Sequence, residues 1–134
     1  MNPGQIILYL FIALALYLLI KKIWLVKTIK HYTPTEASEK LRNSRSVLLL
    51  DVRTLKERKA QSIKKSVHIP FAEINSRVDE LNKFRNHEII CYCKAGIRSL
   101  SAASKLKKNG FNSANLKGGI VQWSLEVLKW TINY

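Results

Sequence analysis

The residues best suited to chemistry in this chain are Cys93 and Arg98, separated by Lys94-Ala95-Gly96-Ile97. A cysteine attacks as its thiolate, and cations or a helix start beside it favour that form. Ahead of Cys93, Glu88 to Tyr92 is a short, mostly apolar run of β character. From Ser99 onward Leu100, Ala103 and Leu106 recur at helical spacing, and Asn109-Gly110 is a helix stop. A strand, a tight loop and a helix start in that order let successive backbone N–H groups converge on one anion. Cys93 holds the first position of that loop, with Lys94 and Arg98 close by. Free cysteines are also common as small buried residues, and Cys91 fits that plainer role. Two cysteines one residue apart on a strand are badly placed for a disulfide. They do not complete a zinc site, and no two histidines have metal-ligand spacing.

The other elements must present that loop. Val47 to Val52 is apolar except for Asp51, as in a parallel strand covered on both faces. Asp51 and Arg53 stand at its carboxyl end, where open α/β sheets place their ligand crevices. They are candidates to support the site, and a buried ion pair is the simpler role. Thr33-Pro34-Thr35-Glu36 combines an N-cap, a proline at N1 and a glutamate at N3, so a helix starts here and runs to about Arg42. Leu55 to Ala60 predicts one or two helical turns carrying Glu57, and Val67 to Ile69 a short strand. His68, at that strand's end, is expected to bond the backbone and not to act as base for Cys93. Phe71, Ile74, Val78 and Leu81 form a stripe that predicts one amphipathic helix over 70–84. Ser113 to Leu116 reads as the last strand, Gly118-Gly119 as an unusual turn, and Ile120 to about Trp130 as a covering helix with Trp123 inward.

Taken together these stretches resemble the rhodanese-like sulfurtransferase family. Cys-Lys-Ala-Gly-Ile-Arg-Ser is similar to its active-site loop, and Leu48-Leu49-Leu50-Asp51-Val52-Arg53 to its first core strand. Glu57, Ser62-Ile63 and His68-Ile69-Pro70 look like its Glu…Gly-His-Ile…Asn-Ile-Pro segment. Gly110-Phe111 and Leu116-Lys117-Gly118-Gly119-Ile120…Trp123 look like its closing motifs. The likeness spans residues 32–128. It departs at Gln61-Ser62-Ile63-Lys64-Lys65-Ser66, where the family pattern reads Gly-His-Ile-Pro-Gly-Ala.

The resemblance implies a three-layer α/β domain with a small, mainly parallel sheet. It also implies transfer of a sulfane sulfur from thiosulfate or a persulfide, through a Cys93 persulfide, to a thiol acceptor that includes protein thiols. Lys94, Ala95, Gly96, Ile97, Arg98 and Ser99 would form the binding loop, Arg98 orienting it and meeting the donor anion. Neither a metal nor an organic cofactor is implied. Cysteine phosphatases have one residue more between Cys and Arg, so the loop argues against phosphoryl transfer. A non-catalytic binding module and a persulfide or redox delivery partner of a membrane protein are the rival readings.

Residues 5–20 carry no charge, and Ile23 to Val26 continue the apolar run past Lys21-Lys22. Allowing those lysines to snorkel, the stretch reaches the roughly 20 residues of a spanning helix. A cleaved signal would put its positive charge first and end at a small-residue site. A buried soluble helix would show a polar face. The expected division is therefore a transmembrane anchor over 1–26, a linker over 27–31 and a domain over 32–134. Lys21, Lys22, Lys27 and Lys30 all lie on the C-terminal side of the apolar run, so the positive-inside bias puts the domain in the cytoplasm and the N-terminus outside. A reducing compartment also suits a free catalytic thiol. The net charge of +14 is scattered along the 134-residue chain without a basic, aromatic-interleaved patch. Anionic lipid suits it better than nucleic acid.

Overall fold

The computed structural model describes residues 1–132; the last two residues of the expected domain lie outside them. Helix α1 (Pro3–Lys27) opens on a capping box in which Asn2 and Gln5 exchange bonds, and none of its residues is buried. Strands β1 (Lys30–Tyr32), β2 (Val47–Asp51), β3 (Val67–His68), β4 (Glu88–Tyr92) and β5 (Asn112–Leu116) form one sheet in the order β1-β5-β4-β2-β3. Every pairing is parallel. Parallel neighbours need crossovers, which α2 (Pro34–Asn43), α3 (Leu55–Ala60), α4 (Ile74–Arg77) and α5 (Ile97–Lys108) supply, and α6 (Gly119–Ile132) follows the last strand.

Side chains alternate along each strand, so the sheet feeds two cores. Leu50, Ile89, Cys91 and Cys93 face Ala102, Ala103 and Leu106 of α5, with Ile74, Leu81 and Phe111 closing that layer. Leu49, Ile90, Tyr92, Ala114 and Leu116 face the other way, against Ala37 of α2 and Ile120 of α6, with Trp123 packed on them. The three-layer α/β architecture is as the sequence leads one to expect. The capping boxes hold at Thr33–Glu36 and also at Thr54–Glu57, where a six-residue helix has little else to start it.

Three expectations are corrected. Residues 27–31 are not a free linker: α1 runs to Lys27, Ile29 is buried, and Lys30 to Tyr32 pair with Ala114 to Leu116 on β5. Thr28 is tied on both sides, its hydroxyl donating to Leu25 O at 2.7 Å and its carbonyl accepting from Lys107 Nζ at 3.2 Å. The open edge of β5 captures this stretch because it presents unpaired backbone groups.

The single helix over 70–84 is instead a 3₁₀ turn (Phe71–Glu73), the short α4 and a second 3₁₀ stretch (Val78–Phe84). Asn75, Ser76, Asp79 and Asn82 are weak helix formers, and Ser76 spends its hydroxyl on Glu73 O. The apolar stripe still turns inward, with Ile74 and Leu81 fully buried. Finally, α5 begins at Ile97, two residues before Ser99.

In the segment that departs from the family pattern, Lys65 adopts φ 63°, the left-handed region, at the position where the pattern has glycine. That backbone costs a residue with a Cβ about 1–2 kcal/mol. It is held by Ser66, whose hydroxyl donates to Ile63 O at 2.7 Å and accepts from Arg58 NH1 at 3.0 Å. Lys65→Gly is expected to leave the loop in place and raise stability by about 0.5–1 kcal/mol, once the extra entropy of unfolded glycine is deducted. Urea unfolding midpoints of the two proteins measure it.

Candidate active site

Strand β4 delivers Cys93 to the carboxyl end of the sheet, between its neighbours β2 and β5. The thiol is 2 % exposed. Gly96, at φ 104°, turns the chain so that α5 starts immediately and points its first N–H groups at the sulfur. Gly96 N donates to Cys93 Sγ at 3.1 Å, and Ser99 Oγ lies 3.3 Å from it. Burial alone would raise the Cys93 pKa. The Ser99 hydroxyl and the N–H groups of Ser99, Gly96 and Ala95 outweigh it, so the thiol lies below the ordinary cysteine value. Cys91, fully buried, has its thiol pushed well up by the same desolvation and by the neighbouring Cys93.

The loop's carbonyls are held from the opposite side. Ile120 N donates to Cys93 O at 2.9 Å and Val121 N to Lys94 O at 3.3 Å, so the amino end of α6 grips the loop. Gly119 makes this possible. A Cβ there would collide with Cys93 O and Lys94 O, and its φ is 59°.

Arg98 is turned to Glu57, NH1 and NH2 donating to the two carboxylate oxygens at 2.8 and 2.7 Å. This forked pair and the bonds from Thr54 hold the Glu57 carboxyl well below the usual carboxylate range. The arginine expected to face a donor anion therefore already has a carboxylate partner. Lys94 is exposed, as is Ile97, at 79 %. Arg53, Glu57, Lys94, Val121 and Leu125 border a cleft of about 410 Å³ beside the loop. A larger cleft, about 820 Å³ between β1 and α2, lies at the amino ends of the strands, away from Cys93.

Asp51 and Arg53 take the simpler role. Both are buried, and Arg53 Nε and NH2 donate to the two Asp51 oxygens at 3.0 and 2.8 Å. Tyr92 Oη and Arg58 NH1 bond the same carboxylate at 3.0 and 3.3 Å. Desolvation works against the Asp51 charge, but these bonds win and its pKa is lowered. Arg53 NH2 also reaches Gln61 O at 2.6 Å, so the pair stitches the divergent loop to β2. His68 bonds Arg53 O through Nε2 at 2.7 Å, a backbone contact and not a base for Cys93.

Asn115 was not singled out by sequence reasoning. Its carboxamide is buried beside Ser99, Oδ1 accepting the Ser99 hydroxyl at 2.6 Å and Nδ2 reaching His31 Nδ1 at 3.2 Å. The available signal was the alternation in β5, where Ser113 and Asn115 put polar groups on the face that α5 covers.

A parallel α/β sheet with an ionisable cysteine in a strand-to-helix loop at its carboxyl edge defines a class of cysteine-dependent domains. This chain belongs to the rhodanese family: the model of the rhodanese-like domain matches residues 33–126. It is 34% identical over 88 residues to a sulfurtransferase of Allochromatium vinosum, covering 65% of this chain and 80% of that one. It is 38% identical over 87 residues to a Bacillus subtilis protein named as a sulfur carrier, YrkF, covering 64% of this chain but only 46% of the relative. The crystal structure of a rhodanese-related protein from Thermoplasma volcanium superposes with a TM-score of 0.66 at 28% identity, covering 72% of this chain and 92% of that one. Relatives named as sulfurtransferases and sulfur carriers support a rhodanese-type role in sulfur transfer.

The two thiols should therefore react differently. Iodoacetamide near neutral pH is expected to modify Cys93 and spare Cys91 until the protein is unfolded, as fragmentation of the modified peptide will report. Because the folded Cys93 ionises at lower pH than the unfolded one, its ionisation adds stability above the unfolded value. That increment is lost as pH falls through the folded value. The difference in unfolding midpoint between the natural protein and Cys93→Ala should shrink accordingly on acidification.

Proposed function

We propose that this protein is a sulfurtransferase that carries sulfane sulfur on Cys93 from thiosulfate or a persulfide to a thiol. The observation that carries the reading is the Cys93 sulfur itself, held by Gly96 N–H and beside Ser99 Oγ, with a lowered pKa. The Cys93 thiolate attacks the outer sulfur of the donor. The donor S–S bond breaks, and its electron pair leaves with sulfite from thiosulfate, or with the thiolate of a persulfide. The persulfide anion left on Cys93 would lie among the N–H groups of residues 94–98. An acceptor thiolate then attacks the outer sulfur, the new S–S bond forms and Cys93 departs as thiolate, giving ping-pong kinetics with no net redox change. Arg98 fixes the loop through Glu57, and its remaining field, with that of Lys94, draws the anionic donor. Exposed Leu55, Ile97, Val121 and Leu125 on elements flanking the loop and its cleft favour an acceptor thiol carried on a protein.

The same reading makes α1 an uncleaved membrane anchor, with the domain cytoplasmic and the N-terminus outside. Its support is a 25-residue helix, long and apolar enough to cross a bilayer, with lysines towards its C-terminal end. Resistance to alkaline carbonate extraction tests the anchor, and labelling of a cysteine introduced at Met1 from outside the cell tests its direction.

Intact mass after brief exposure to thiosulfate, with excess removed, tests the chemistry. One added sulfur on the natural protein and on Cys91→Ser, absent from Cys93→Ser, is the expected result. No adduct from thiosulfate or glutathione persulfide would favour the binding-module reading, and an adduct on Cys91 would refute the assignment of the nucleophile. Glu57→Gln, which frees Arg98, is expected to slow persulfide formation about tenfold with the fold intact, the size of a lost charge-assisted bond. Single-turnover rates check it.

A further inference from the structure

Ser99 stands between two acceptors with one proton to give. Its Oγ is 2.6 Å from Asn115 Oδ1 and 3.3 Å from Cys93 Sγ. A hydroxyl donates once, so the carboxamide oxygen, at the shorter distance, competes with sulfur for it. The orientation of Asn115 is set in turn by His31, its opposite number in the β1–β5 pairing, whose Nδ1 accepts from Asn115 Nδ2 at 3.2 Å. Ser99 and Asn115 are buried, 0 % and 4 % exposed, while His31 is exposed. A chain of polar groups thus runs from solvent to the reacting sulfur: imidazole, carboxamide, hydroxyl, sulfur.

We propose that Asn115 is a positioning residue for Cys93 whose setting is governed by the protonation of His31. This rests on Cys93 being the nucleophile. With His31 neutral, Nδ1 is an acceptor, Asn115 turns its NH2 to it, and the carbonyl left facing Ser99 draws the hydroxyl proton away from sulfur. With His31 protonated, Nδ1 becomes a donor and the carboxamide reverses to present its oxygen. Its NH2 then donates to Ser99 Oγ, and the hydroxyl proton is free for sulfur. No bond to sulfur is made or broken; a proton gained by one exposed ring redirects a hydrogen bond at the thiolate or persulfide.

Other charges border His31: Lys30 and Tyr32 on its own strand, Glu36, Glu39 and Lys40 of α2, and Glu88 of β4 line a common cleft with it. Lys107 of α5 reaches Thr28 O at the turn before β1. Among the described residues, the hydrogen-bond partner of the imidazole is Asn115. The fields of these groups persist in a variant that changes Asn115 alone, which separates the relay from a through-space effect.

The test is the rate of iodoacetamide modification at Cys93 against pH, on the full-length protein in detergent. Asn115→Leu removes the competing acceptor, so the Ser99 proton turns to sulfur and the rate below the thiol pKa should rise about three- to tenfold. Ser99→Ala should lower it by a similar factor. In the double variant the Asn115→Leu effect should vanish, since it acts only through Ser99. The natural protein should show an inflection in the pH profile beyond that of the thiol itself, absent from His31→Ala and from Asn115→Leu. A slower Asn115→Leu, additive effects in the double variant, or an unchanged profile in His31→Ala each overturn the relay. If Asn115→Leu does not fold, the exposed His31→Ala and the Ser99→Ala profiles decide alone. A Cys93 that reacts well yet ignores all three changes sinks the relay only; a Cys93 that does not react sinks the assignment of the nucleophile with it.

Discussion

The carbonyls of Cys93 and Lys94 are held by the first N–H groups of α6, and the rest of the site depends on that grip. A peptide plane has a carbonyl on one side and an N–H on the other. Fixing the oxygens toward α6 leaves the following N–H groups facing the sulfur. Gly119 carries no Cβ because the loop backbone occupies that space, and Gly96 closes the turn from the other side. The thiol's acidity follows from the Ser99 hydroxyl and the backbone N–H groups more than from any neighbouring cation.

Arg98 shows why the cation matters less. Its guanidinium is matched to Glu57 in a two-point pair, about a third exposed to water, with side chains 36% and 30% accessible. Such a pair contributes little to stability where solvent screens it, but its geometry pins the first turn of α5 to the start of α3. The buried Asp51–Arg53 pair does similar work deeper in. With Tyr92 and Arg58 it joins β2, β4 and the loop that precedes β3. A charge group so fully bonded is costly to break and leaves no free valence for substrate.

Helix α1 and the domain are joined without slack. Two residues separate α1 from β1, and β1 is an edge strand of the sheet itself. Helix α1 thus leads directly into the strand that pairs with β5, with His31 opposite Asn115. The same edge strand brings His31 to the polar face of β5, so the feature that fixes the domain to its helix also opens a path from the surface to the sulfur.

Much of this was legible in the residue order. Apolar runs, capping boxes and the strand–loop–helix around Cys93 are local properties, since a cap or an alternation is decided within a few positions. The three-layer fold, the burial of Cys91, the backbone role of His68 and the pairing of Asp51 with Arg53 follow from such patterns. The stripe over 70–84 gave the correct buried face but not the helix type, because four polar residues tip a marginal helix into 3₁₀ turns. What the order of residues could not reveal are partners brought together by the sheet: Glu57 for Arg98 across 41 positions, and His31 for Asn115 across 84. Spacing along the chain sets which residue types sit in the loop. Only the folded sheet decides which of their protons, charges and carbonyls are already taken, because those partners arrive from separate strands whose alignment is a property of the whole core.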